Sequence, residues 1–518
     1  MPRREYEVAR LDDLPAGAMQ PIEVEGDKIL LIRDGVDVHA VDATCPHAGA
    51  PLVEGVRHGN RLVCPWHKAT FCIQTGTVLE PPALDSLNRY DVRVDGQRVL
   101  LTYPAETPAH AEQAHDSRCF VVVGAGAAGA VAAQTLRQAG FDGRLVMLDQ
   151  VNRVPYDRTI LSKYALSGEQ GAEKSPLQTQ SFYRQHRIER WTAEVTNVDA
   201  NRRQITCADG TSLHYDAALL ATGGAPKRPD LPGANLQNVF LLRSRNDADA
   251  ILAQAERSER VVVLGASFIG MEVAASLRER GLDVTVVGKE TAPFEKQLGA
   301  RIGTAFTSLH EKRGVTFRLG CEIKALEGDR HVRRVVLAGG EALAADLVVI
   351  GFGVRPATSY LDGIVLHQDG SIPVDANLRV TDGLYAAGDI AHFPLHGDGD
   401  PIRVEHWRVA QQQGRVAALN MLGQTTRYEA VPVFWTIQYL KRLDYIGHAV
   451  EWDDIVVHGD LEKPEFLAYY VKNGLIQAAA GLDRDKDTAA LIELMTTRRD
   501  WTPSAMGDSP ATVLAAMT

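Results

Sequence analysis

Short apolar runs follow one another closely over residues 1–103: YEVARL, KILLIR, DVHAVD, RLVCPW, RYDVRV and RVLLTY. Asp34-Gly35, Pro81-Pro82 and Asp95-Gly96 punctuate them as turns. Such runs between turn signals predict strands, and so many in so little chain predict a small antiparallel sandwich or barrel. Residues 104–117, PAETPAHAEQAHDS, are polar, rich in Pro and Ala and without period, which predicts a linker.

The pattern changes at Arg118. RCFVVVGAGAAGAVAAQTLRQAGF is a continuous apolar strand, a glycine turn and an Ala-rich stretch with helical spacing. A second copy, RVVVLGASFIGMEVAASLRERGLDVTVVGKE, begins at Arg260. Strand–turn–helix–strand units predict parallel sheets in doubly wound α/β domains, and two copies predict two nucleotide-binding domains. Beyond about residue 430 strands return in PVFWTIQYL, DYIGHAV, DIVVHGD and EFLAYYVKNGLIQAAAGLDR, ahead of a terminal helix. The expected fold is therefore multidomain. An all-β domain (1–103) precedes a first Rossmann-like domain in two parts (118–245 and 368–427). A second Rossmann-like domain (246–367) is inserted between those parts, and an α+β domain (428–518) closes the chain.

Composition narrows the function. The chain has 518 residues, 45% hydrophobic and 23% charged, so packed cores are expected and disorder is not. A net charge of −11 argues against a nucleic-acid surface. No apolar run approaches the ~18 residues of a membrane span. MPRREYEVARLDD lacks the apolar centre of a secretory signal. Six cysteines are too few for a disulfide scaffold. A cytoplasmic protein, monomer or homodimer, is expected.

One stretch stands out chemically: CPHAGAPLVEGVRHGNRLVCPWH, residues 45–67. Cys45 and His47 lie one residue apart, and Cys64 and His67 lie two apart. Zinc fingers pair Cys with Cys and His with His. One Cys and one His per loop suits a [2Fe–2S] centre whose two irons have different ligands. C-x-H-x16-C-x-x-H resembles the Rieske signature, as do the Pro after each Cys and the Thr75-Gly76 turn. The resemblance implies Cys45, His47, Cys64 and His67 as cluster ligands, with the histidines facing solvent as the exit for electrons. Rieske domains of respiratory complexes add a disulfide where Ala50 and Trp66 stand here. High-potential members place Ser and Tyr hydroxyls against the sulfurs where this chain has Ala69 and Phe71. Without those donors the reduced cluster is less stabilised, so a potential at the low end of roughly −150 to +300 mV is expected.

The first glycine turn presents Gly124, Gly126 and Gly129 directly after a strand, suited to a tight turn and a close pyrophosphate. RLVMLD ends at Asp149, placed to accept from ribose hydroxyls. PYDRTILSK (155–163), LLATGGAPKRP (219–229) and GLYAAGDIA (383–391) resemble, in order, motifs of two-dinucleotide flavoprotein reductases. The resemblance implies FAD, held by Arg158, Lys163, Ala221, Thr222, Gly223, Gly388 and Asp389. The second turn has Gly265 and Gly270, with Ser267 in place of the middle glycine; it is expected to take the nicotinamide cofactor. In related reductases an acid matching Glu272 pairs with the Lys matching Lys163, beside the atom of the flavin where hydride arrives. A first-turn Glu favoured by the helix dipole is the plainer alternative. The second strand ends in Gly288 instead of an acid and no arginine cluster follows, so NADH is taken as the donor with NADPH as the alternative. RVEHWRVAQQQGRVAALNM (403–421) matches a helix whose acid and aromatic, here Glu405 and Trp407, sit near the ring system; Trp407 as plain core competes. Lys163, Glu272 and Trp407 are the catalytic candidates.

No paired cysteines follow the first helix, so the dithiol branch is unsupported. Cys72, Cys119, Cys207 and Cys321 are expected as packed fillers. Over nearly its whole length the chain resembles apoptosis-inducing-factor-like flavoproteins with an N-terminal Rieske domain, notably in CPWHKATFCIQTGTVLEPPALDSL and PFEKQLGARIG. Its reductase half also resembles the reductases that feed aromatic-ring dioxygenases and cytochromes P450. The resemblance implies electron flow from NAD(P)H through FAD to the fused cluster, and on to an acceptor such as an oxygenase or a cytochrome P450. Two rivals stay open: an NAD(P)H oxidase or quinone reductase with an auxiliary cluster, and a redox-regulated signalling protein.

Overall fold

The computed structural model describes residues 3–105, 116–169, 175–463 and 465–517. Most of the expected linker, 106–115, lies outside them. The N-terminal region builds a six-stranded antiparallel sheet, ordered Arg4–Arg10, Arg98–Tyr103, Arg89–Asp95, Asp37–Asp42, Asp27–Asp34 and Met19–Val24. A second, four-stranded sheet runs through Val56–His58, Arg61–Val63, Thr70–Cys72 and Val78–Glu80. The unbroken run Ile29-Leu30-Leu31-Ile32 explains how the two stack, because all four residues are fully buried. Ile29 and Leu31 pack with Ala40, Tyr90, Val99 and Leu101 on one face. Leu30 and Ile32 pack with Val41, Leu62, Phe71, Cys45 and Cys64 on the other. A strand covered on both sides reads as a continuous apolar run instead of an alternating one. It forms the floor beneath the Cys–His loops.

The first dinucleotide domain has strands Ile188–Thr192, Arg144–Asp149, Cys119–Val123, Ala217–Leu220 and Leu384–Ala386 in parallel, with Arg379–Thr381 antiparallel at the edge. The chain leaves after Leu220 and returns with Leu384 opposite Ala218. That return brings Gly388 and Asp389 to the same sheet end as Gly124. The inserted domain is a five-stranded parallel sheet: Val239–Leu241, Leu347–Ile350, Arg260–Leu264, Asp283–Val287 and Thr316–Arg318. The C-terminal domain is a five-stranded antiparallel sheet, Val433–Gln438, Lys441–Gly447, Leu475–Leu482, Glu465–Lys472 and Asp454–Asp460, packed with the helix Asp485–Thr496.

The N-terminal region is built into the rest. Val56 and Val63 share one apolar core with Val431, Val433, Ile446 and Leu467 of the C-terminal domain. A charged seam runs beside it. Lys68, 1% exposed, lies 2.9 Å from the Asp444 carboxylate. Arg442 donates to the Pro65 carbonyl (3.0 Å) and pairs with Asp444 (3.0 Å) and Asp485 (2.6 Å). Arg408, fully buried, donates to the carbonyls of Pro81 (3.1 Å) and Lys68 (2.9 Å) and pairs with Glu80 (2.8 Å). Burial alone would push Asp444 up; Arg442 and Lys68 outweigh it and hold the carboxyl low. Intact buried pairs add little net stability, but removing one partner strands a charge at a cost of about 3–5 kcal/mol.

Candidate active site and cluster loops

Two short loops hold the cluster candidates. Cys45 N–H bonds to the Ala50 carbonyl (2.9 Å), and Cys64 N–H bonds to the Ala69 carbonyl (2.8 Å), so each Cys and its His project from a closed turn. The two thiols are buried and share a hydrogen bond. That bond draws Cys64 down to about 7 and pushes Cys45 up. Backbone amides of His47 and Ala48 act on Cys45, and those of His67 and Trp66 on Cys64. The imidazoles meet edge to face with centroids 4.8 Å apart. Nδ1 of both His47 and His67 is buried and has no hydrogen-bond partner among the described residues. Among the described residues no three His, Cys, Asp or Glu side chains are placed for a single metal ion. A thiol pair beside an imidazole pair with open ring nitrogens is the donor set of a mixed-ligand two-iron cluster. Ala69 and Phe71 are fully buried against the loops and bring no hydroxyl.

One expectation needs correcting. The histidines are half-buried and only partly open to solvent. His67 packs against Trp435 at 5.0 Å, and burial, with His47, Arg442, Lys68 and Lys163 adding charge, holds its ring well below the usual histidine range. His47 is likewise lowered by burial and lies close enough to feel Asp157. The cause is the shared core: docking the small sheet on the C-terminal domain turns the loop tips toward the flavoprotein.

A cavity of about 440 Å³ opens where the domains meet, and Trp435 lines it. Gly124, Gly126, Asp149, Arg158, Lys163, Ala221, Thr222, Gly223, Gly388, Asp389, Glu405 and Trp407 also line it, as do Ser267 and Glu272 from the second turn. Gly129, Gly265 and Gly270 do not line it; they let the helices pack. A Cβ on Gly129 would lie 1.9 Å from the Gly124 carbonyl oxygen, and one on Gly270 would lie 2.1 Å from that of Gly265. Space above Gly126 is open, and the helix Ala127–Gln138 starts there without a side-chain cap. Its free N–H groups, with Arg158 half-buried at the cavity wall, fit a pyrophosphate. Burial pushes Asp149 up; its Oδ1 accepts from Val151 N–H at 3.3 Å, leaving acceptor capacity for ribose hydroxyls. Arg243 pairs with Asp389 at 2.8 Å across the same wall.

The second turn is built differently. Ser267 Oγ accepts from Gly270 N–H (3.2 Å) and donates to the Gly351 carbonyl (2.8 Å). The hydroxyl is thus turned onto its own backbone, where it caps the helix that follows. Gly288 packs close to Leu319 and Ala266. Lys289 is paired with Glu322 and Glu290 with Lys296, each at 2.9 Å. Lys163 sits in a widened helical turn, Leu161–Ala165, 3.0 Å from Glu272. Glu272 also accepts from Ser162 Oγ (2.5 Å) and Thr436 Oγ1 (2.6 Å). Glu405 pairs with Arg403 (2.7 Å), and Trp407 both lines the cavity and packs on the first dinucleotide core. Trp435, Phe434, His406 and Arg243 were missed from sequence. Adjacent aromatics in a half-covered strand were the available signal, since alternation sends one away from the core.

Two nucleotide turns converging on one cavity, one aromatic ring from a thiol–imidazole loop pair, define a nicotinamide-dependent flavoprotein reductase with a fused iron–sulfur domain. The chain matches the pyridine nucleotide-disulphide oxidoreductase family over residues 119–414, the Rieske [2Fe-2S] domain over 4–91 and the reductase C-terminal domain over 433–517. It is 38% identical over 514 residues to apoptosis-inducing factor 3 of Homo sapiens, covering 96% of this chain and 84% of that one. It is 32% identical to rhodocoxin reductase of Rhodococcus erythropolis, covering 75% and 92%. A solved ferredoxin reductase from Rhodopseudomonas palustris superposes with a TM-score of 0.73 at 28% identity, covering 78% and 100%. The chain belongs to the pyridine nucleotide-disulphide oxidoreductase family. It is an NAD(P)H-dependent oxidoreductase that uses FAD and a Rieske [2Fe–2S] cluster. No described helix is long and apolar enough to cross a membrane.

Proposed function

We propose that this chain carries electrons from NAD(P)H through FAD to its own cluster, and from there to a separate acceptor protein such as an oxygenase or a cytochrome P450. When bound, FAD converts the two-electron chemistry of the nicotinamide into one-electron steps that an iron–sulfur cluster can take. The protein's residues supply the arrangement. Arg158, Asp149 and the uncapped helix would orient the flavin nucleotide, and Lys163 with Glu272 would flank the hydride path. The observation that supports the reading most is His67 against Trp435, because that indole spans from a cluster ligand to the cavity. Fusion supports it too, since a tethered partner has a high effective concentration. With both imidazoles turned inward, an acceptor would approach the outer edge of the first loop, where Pro46, Ala48 and Gly49 are exposed.

Cys64→Ser or His67→Cys tests this. The Rieske absorption and cytochrome c reduction should vanish while NADH–ferricyanide activity stays; loss of both activities in folded, FAD-loaded protein would refute separate stations. We also propose a low cluster potential, because backbone amides and no hydroxyl at 69 or 71 serve the sulfurs. Phe71→Tyr should raise it by tens of millivolts or more within the roughly −150 to +300 mV span of such centres, measured by potentiometric titration.

A further inference from the structure

Glu272 is joined to a line of buried polar side chains that leads away from the cavity. Thr436 Oγ1 donates to Glu272 Oε1 at 2.6 Å. Gln438 Nε2 donates to Thr436 Oγ1 at 3.2 Å. Gln438 Oε1 is 2.7 Å from His310 Nε2, and His310 Nδ1 faces the Tyr439 hydroxyl at 3.5 Å. Thr436, Gln438 and His310 are each 1% exposed or less. Donor and acceptor roles leave one arrangement. An amide oxygen only accepts, so His310 carries its proton on Nε2, and Nδ1 is left to accept from Tyr439. Every donor therefore points the same way, from Tyr439 through His310, Gln438 and Thr436 to the carboxylate.

A second observation supports a purpose at the far end. Tyr439 and Leu440 form the two-residue turn between strands Val433–Gln438 and Lys441–Gly447, and both have positive φ, 54° and 61°. Such turns favour Asn-Gly, and large side chains there are outliers held by their surroundings. Leu440 is 72% exposed and holds nothing. Tyr439 is buried, its ring 4.9 Å from His310 and under the Arg313 guanidinium at 4.3 Å.

We propose that Thr436, Gln438, His310 and Tyr439 are positioning residues that fix the Glu272 carboxylate against Lys163 through this one-way chain of donors. The proposal rests on the reading of Glu272 as the acid beside the hydride path. Burial lowers His310 to about 4, with Arg313 adding to the shift against the Gln438 bond, so its neutral form serves across ordinary pH. The chain joins the inserted domain, which supplies Glu272 and His310, to the C-terminal hairpin.

Thr436→Val in the full-length, cofactor-loaded protein removes the donor next to Glu272 at nearly constant volume. It should slow single-turnover flavin reduction by NADH about tenfold, as loss of a hydrogen bond to a charged group would. NAD⁺ affinity should stay within about twofold, since the bond does not touch the dinucleotide. The flavin absorption bands and midpoint potential should shift as well, and Thr436→Ser should restore all three. Gln438→Leu and His310→Phe should act in the same direction with decreasing size. An unchanged rate and spectrum in folded Thr436→Val would overturn the proposal, as would a loss that Thr436→Ser does not rescue. If Glu272→Gln alone leaves flavin reduction unchanged, it is the role of Glu272 that fails instead.

Discussion

Gly124, Gly126, Gly129 and Val131 of the first turn correspond in position to Gly265, Ser267, Gly270 and Glu272 of the second. The packing glycines do the same job in both, each leaving no room for a Cβ beside the preceding carbonyl. The other two positions diverge. Gly126 leaves its helix end bare for an anion, whereas Ser267 caps its own helix and occupies one of the N–H groups. Val131 is core, whereas Glu272 reaches into the cavity. A helix end left open suits a ligand that stays; one half-satisfied by its own chain suits a ligand that comes and goes.

Substitutions can break that comparison. Gly129→Ala should have the largest effect, because a methyl 1.9 Å from a backbone oxygen forces the helix off its strand. We expect a loss of about 3 kcal/mol in stability and of bound FAD, read as the flavin-to-protein absorbance ratio after purification. Gly270→Ala, the mirror change, should leave FAD bound and abolish its reduction by NADH; loss of FAD there as well would show that the turns are not independent. Glu272→Ala comes next, with FAD retained and stopped-flow reduction about 100-fold slower. Ser267→Gly should do least. It makes the second turn resemble the first, and dinucleotide affinity measured by titration should tighten by no more than about threefold, since a Ser-to-Gly cap change is worth only tenths of a kcal/mol.

Those contrasts were partly visible in the letters alone. The strand–glycine–helix units, the Cys–His spacing and Glu272 two residues after Gly270 are local patterns, and local patterns survive in sequence. Four N-terminal strands did not show. Met19–Val24 is an edge strand with Pro21 inside it, which an edge tolerates but a pattern search rejects. Val56–His58, Thr70–Cys72 and Val78–Glu80 have three residues each, too few for a period. The inward tilt of the histidines, the Trp435 bridge and the seam of Lys68, Arg408, Arg442 and Asp444 were illegible for a different reason. Each depends on residues hundreds of positions apart meeting, and nothing in a Lys or Trp codon announces its partner.

Val56 and Val63 belong to a core whose other half is made more than 360 residues later. Heating or denaturant should therefore melt the N-terminal Rieske head and the tail of the chain as a single cooperative block. A fragment ending before that tail would expose a bare valine face, so this head cannot be lifted off and traded as a free carrier without redesigning the surface it left behind.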